Sequence, residues 1–230
     1  MLYGDELLII LLLGLLSGPI AIFLIRRLPQ YIELQEKLPA KPLKITYTPN
    51  RFIDKYISHI TCVTSIAIPL VISHGFMFNM HSYLLMFFCW VVLVLIAIDF
   101  CTLYLPDMLT LPMIWLGLIK EFFVATQFIG MNQAVLGAVV SYISLRGLSE
   151  LYYLVTKKEA LGRGDIKFFA MIGAWLGLGA VYFTIMLSSI LVCVFYGLKY
   201  FLLKKKNLKK IFPYGPWIGL SLYLYLLLNH

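Results

Sequence analysis

Apolar residues run along this chain in long unbroken blocks, without the short-period alternation of strands or surface helices that are half buried. Such blocks occupy residues 7–25, 60–78, 84–98, 109–128 and 134–155, with short polar turns or loops between them. A sixth begins at 166 and runs to about 178, a seventh continues to Lys199, and an eighth covers 214–228. Most approach the 17–25 residues that a helix needs to cross a bilayer. The pattern predicts an all-α polytopic membrane protein of about eight transmembrane helices, with the break between the sixth and seventh at Gly177-Leu178-Gly179. Residues 1–59 read as a first span plus a polar loop, and residues 60–230 as a membrane-embedded core.

Composition agrees. Apolar residues make up 61% of the 230 and charged residues only 13%, about half the charged share of a soluble domain. The four cysteines, Cys62, Cys89, Cys101 and Cys193, form no CxxC pair, so no zinc site or disulfide framework is indicated and no metal is expected.

A net charge of +8 would suit nucleic acid, but the placement of the charges points elsewhere. Of the 19 basic residues, seven lie in 26–58, four in 157–167 and six in 199–210. The eight-span topology puts all three segments on one side of the membrane, as the positive-inside rule requires. That makes 26–58 a cytoplasmic loop and both termini external. The basic excess is then a topology signal and an attraction to membrane lipid, with no nucleic-acid partner expected.

The same topology brings two acids to the cytoplasmic face. Asp99 closes the third span, and Asp165 opens the sixth within Gly162-Arg163-Gly164-Asp165-Ile166-Lys167. Two neighbouring carboxylates do not both ionise easily, so one is held as an acid while the other activates water. Gly162 and Gly164 suit either a positive φ or close approach of a peptide. A second reading stands beside this one, in which Asp165 caps a helix and Asp99 is a solvated helix end. Acids at a membrane boundary are costly to place, which favours function.

The motifs resemble the type IV prepilin peptidases, the bacterial GxGD membrane aspartyl proteases. The likeness rests on Ala97-Ile98-Asp99, Leu105-Pro106-Asp107-Met108-Leu109-Thr110-Leu111-Pro112, Lys158-Glu159, the Gly162–Lys167 turn, and Pro213-Tyr214-Gly215-Pro216. A looser likeness covers residues 10–29, ending Arg26-Arg27-Leu28-Pro29. The resemblance implies an endopeptidase that removes a short basic leader from prepilins or pilin-like secretion subunits, with Asp99 and Asp165 as its catalytic pair. Asp107 is expected to cap a helix, and Lys158, Glu159 and Lys167 to flank the site. Many members of that family carry two CxxC pairs in the first cytoplasmic loop and also N-methylate the new amino terminus. Residues 30–58 hold no cysteine here, so no zinc-held subdomain is expected. Methyl-donor binding need not involve those cysteines, and no cofactor is expected, S-adenosylmethionine entering only if methylation is retained.

Two other charge pairs read as structural. Arg146 and Glu150 are one helical turn apart, and Lys120 adjoins Glu121 inside a span. A small ion-coupled transporter and a non-catalytic assembly component are the alternatives. The first would show inverted repeats and helices interrupted at midplane, and no clear repeat is present.

Overall fold

The computed structural model describes residues 17–25, 27, 80–123, 129–203 and 213–229. The first-span residues 7–16, the polar loop 28–58, the second span 60–78 and the basic run 204–210 lie outside the described residues. Every described element is a helix: residues 17–25, then α1 (Met80–Thr102), α2 (Asp107–Phe123), α3 (Met131–Thr156), α4 (Arg163–Leu203) and α5 (Gly215–Leu228). The chain divides into two compact units, Met1–Pro106 and Asp107–His230.

In the first unit α1 is the dominant element. Its 23 residues include no lysine, arginine or glutamate and a single aspartate, Asp99, near the end, and Phe88, Cys89, Val92, Leu95 and Ile98 are fully buried. Trp90 donates its indole N–H to the carbonyl of Ser17 at 3.2 Å, tying α1 to the helical residues 17–25.

In the second unit α4 is the central helix and packs against α2, α3 and α5. Its 41 residues would reach about 60 Å if straight, twice the thickness of a hydrocarbon core. Gly177, at φ 79° and ψ 179°, breaks it into two helices, at the place the sequence predicts. A side chain there would be strained by the positive φ, and its Cβ would lie 3.1 Å from Ile129.

The contact of α3 with α4 is made by small residues. Ala134, Gly137, Ala138 and Ser141 are the buried positions of α3, spaced three or four apart on one face. A Cβ on Gly137 would lie 2.5 Å from the Gly173 carbonyl oxygen, so the two backbones meet directly. Close approach of this kind is how helices pack where lipid leaves little hydrophobic drive between them. The remaining faces of α3 expose Leu136, Ile143, Leu151 and Leu154. Trp175 of α4 fills the contact with α2, lying over Gly117 and donating its indole N–H to the Met113 carbonyl at 2.7 Å. On the other side, Tyr214 bonds Ser188 at 2.8 Å just before α5 begins.

Among the described residues, Ser82–Thr102, Met131–Thr156 and Arg163–Leu202 are long and apolar enough to cross a membrane, and Gly215–Leu228 is a shorter apolar helix. Large apolar side chains stand exposed on most of these helices, a surface that water does not tolerate over such an area. Among the described residues the fold is all-helical, and these apolar helices are those of a membrane protein.

Candidate active site

Asp99 does not end its helix, as hydropathy suggested. It lies inside α1, buried to 5% exposure, and the helix continues one further turn to Thr102. The turn after it is closed twice. Leu103 takes a left-handed conformation, φ 57°, and its N–H bonds the Asp99 carbonyl at 2.8 Å. The Thr102 hydroxyl donates to the Ile98 carbonyl at 2.8 Å. A non-glycine residue in that region carries about 1–2 kcal/mol of steric cost, so the backbone directly after Asp99 is held against its preference. Leu105 and Pro106 then bury themselves ahead of α2.

Asp165 belongs to the second unit. It is the third residue of α4, half buried, and therefore not the N-cap. The first α4 backbone bond runs from the Ile166 N–H to the Gly162 carbonyl at 3.3 Å, which makes Gly162 the residue before the helix. Ile166, Phe168 and Phe169 seal the first turns into the core, so that Asp165 is carried on an anchored segment. At this end of a helix the unpaired N–H groups present partial positive charge, which favours an acid.

Neither glycine of the turn serves unusual torsion, and Gly162 serves close approach. Among the described residues, glycines with positive φ are Gly130 and Gly177. A Cβ on Gly162 would sit 2.8 Å from Asp165 Oδ2. The missing side chain at 162 is the space the carboxylate occupies. Gly164 is half buried in the first turn of α4.

Asp107 departs from its expected capping role. It is the first residue of α2, one place inside the cap position, and its Oδ2 accepts a hydrogen bond from the Lys167 ammonium at 2.5 Å. Lys158 and Glu159 are exposed in the connection between α3 and α4. Arg146 and Glu150 form the expected ion pair on α3. Lys120 and Glu121 also pair, at 2.6 Å, with side chains only 4% and 1% exposed and the ammonium 5.3 Å from the centre of the Trp175 ring.

Glu159 belongs to a feature that sequence reading missed. A cavity of about 170 Å³ is lined by Arg146, Ser149, Glu150 and Tyr153 of α3, by Glu159 and Leu161 of the following turn, and by Arg163, the first residue of α4. The α3 members recur at steps of three and four, a polar stripe on an otherwise apolar span. That stripe was the signal available.

Residues 86–198 match the model of the type IV leader peptidase family. The chain is 34% identical to the prepilin leader peptidase/N-methyltransferase of Aeromonas hydrophila over 168 residues, 73% of this chain and 56% of the relative. It is 41% identical to the protein of that name from Pectobacterium carotovorum subsp. carotovorum over 133 residues, 56% of this chain and 45% of the relative. It is 42% identical to the one from Neisseria gonorrhoeae over 124 residues, 54% and 41% of the two chains. The chain spans about half the length of the curated relatives it matches. No solved structure matches it.

Proposed function

The chain belongs to the type IV leader peptidase family through residues 86–198, and on that premise we propose that it is a membrane-embedded endopeptidase that removes the basic leader of prepilins or pilin-like secretion subunits. The observation that carries this reading is the construction of the turn at Asp165: a half-buried carboxylate on the anchored first turn of a core helix, in space that Gly162 leaves open.

In the proposed mechanism Asp99 and Asp165 act as a pair at the cytoplasmic face. One carboxylate takes a proton from water as it attacks the scissile carbonyl, and the other, protonated, supplies a proton to the departing amine. The pair titrates as a unit, so its pH profile belongs to both residues. The reaction draws on no cofactor. Methylation of the new amino terminus, the second activity in the relatives' printed name, would require S-adenosylmethionine.

The setting we propose is the bacterial inner membrane, crossed eight times with both termini external. Residues 1–59 supply the first span and a cytoplasmic loop, and 60–230 the peptidase core. Support comes from 17 of 19 basic residues falling in three segments on one side of that topology.

The test is cleavage of a prepilin-like substrate by the purified protein in detergent, beside Asp99→Asn and Asp165→Asn. Mass spectrometry reads both cleavage and any mass gained when methyl donor is supplied. Both variants are expected to lose cleavage while folding normally. Full activity in either would remove the two-aspartate mechanism.

A further inference from the structure

We propose that Asp107 and Lys167 are a positioning pair for Asp165: the ion pair between them sets the roll of the first turns of α4 about the helix axis. This rests on the peptidase reading above, in which Asp165 is catalytic.

The pair joins residues 60 apart in sequence, Lys167 Nζ to Asp107 Oδ2 at 2.5 Å. It ties one helix to another, whereas Arg146–Glu150 lies within α3 and Lys120–Glu121 within α2. Its side chains are 21% and 47% exposed, so it is neither a deeply buried pair nor a freely solvated one.

Lys167 follows Asp165 by two residues. At about 100° per residue, the two side chains leave α4 on nearly opposite sides, and residues so spaced do not face each other. Lys167 therefore acts on Asp165 only through the helix between them. The apolar contacts of Ile166, Phe168 and Phe169 hold α4 against its neighbours, but apolar burial is non-directional. A short charge-assisted bond is directional, and at the first turns of α4 it adds to the Trp175–Met113 hydrogen bond, about two turns further along, in fixing the rotation of the helix. Its other end is Asp107, the first residue of α2, a helix that also packs against α4 through Trp175.

A small roll matters because catalytic geometry is steep: misplacement by about 1 Å costs on the order of 100-fold in rate. An intact but slightly rotated helix should turn over slowly while still binding substrate.

The test uses the full-length purified protein with Asp107→Asn, Lys167→Gln, Lys167→Arg and the exchanged double variant Asp107→Lys/Lys167→Asp. Readouts are kcat and KM for leader cleavage, the unfolding temperature, and hydrogen exchange of peptides covering residues 163–170. Each neutralising single variant is expected to lose about tenfold in kcat with KM within about twofold, and to exchange faster over 163–170. Lys167→Arg and the exchanged double variant should return kcat to within about threefold of wild type and restore protection. Singles with unchanged kcat and exchange, or an exchanged double variant as slow as the worse single, would overturn the proposal. An inactive wild type or a fully active Asp165→Asn would instead overturn the peptidase reading, and the exchange data would still decide whether the pair holds α4.

Discussion

Gly162→Ala is the substitution with the sharpest expected split between folding and chemistry. A methyl at 162 would sit 2.8 Å from Asp165 Oδ2 and 3.7 Å from its Cγ, whereas ordinary contact begins near 3.4 Å. The carboxylate must retreat by about 0.6 Å or rotate. It can do so at little cost to stability, because it is the end of a short flexible side chain. Two backbone effects nearly cancel. Alanine is worse than glycine immediately before a helix by roughly 0.5–1 kcal/mol, and it lowers unfolded-chain entropy by about 0.4–1 kcal/mol. The unfolding temperature should move by no more than about 2 °C.

The rate should not be spared. If a 1 Å error costs about 100-fold, an error of about 0.6 Å predicts a loss of tenfold or more in kcat. KM should change little, because the methyl touches the carboxylate proposed to act on water. The assay is leader cleavage at saturating and limiting substrate, with thermal unfolding in the same detergent. A Gly162→Ala enzyme within twofold of wild type, while Asp165→Asn is dead, would refute the argument that this glycine exists to make room for the carboxylate.

Three further substitutions test the scaffold. Gly173→Ala drives a Cβ into the Gly137 backbone, which cannot swing aside as a side chain can; a loss of about 1–3 kcal/mol is expected, read as a lower unfolding temperature, and an unchanged midpoint would mean that α3 and α4 are not pinned there. Lys120→Met removes one member of a buried pair and should destabilise by about 3–5 kcal/mol, whereas Lys120→Met combined with Glu121→Gln should recover part of that loss in the same unfolding assay; additive losses would show that the two charges do not stabilise each other. Leu103→Gly relieves the left-handed backbone after Asp99 and should gain about 1 kcal/mol of stability, detected as a raised midpoint, with a lowered midpoint counting against strain at that turn.

What the sequence reveals of this molecule follows the physics of each signal. Hydropathy locates spans because lipid selects for it, but it reports membrane depth and not hydrogen bonding. It therefore stops the third span at Ile98, where a carboxylate interrupts the apolar run, although backbone bonding carries α1 on to Thr102. The break at Gly177 was foreseeable, since an apolar run twice a bilayer's thickness must break and glycine tolerates the required φ. The Arg146–Glu150 pair was foreseeable too, being fixed by one turn of helix. The buried face of α3 was not. In a soluble helix polarity separates inside from outside, but here both are apolar and only side-chain size distinguishes Ala134, Gly137, Ala138 and Ser141 from their neighbours.

The Asp107–Lys167 bond was hidden for a related reason. No spacing rule links residues 60 apart, and each has an adequate local explanation, a cap for one and a basic boundary residue for the other. Local consistency made the capping role attractive, yet the carboxylate instead bonds across to a neighbouring helix. A charged residue beside a membrane span has few partners within its own turn and strong reason to find one. The pairing of such residues between spans is thus the part of a membrane site least visible in sequence and most dependent on the packed structure. In this chain it falls two residues from the carboxylate on which the proposed chemistry depends.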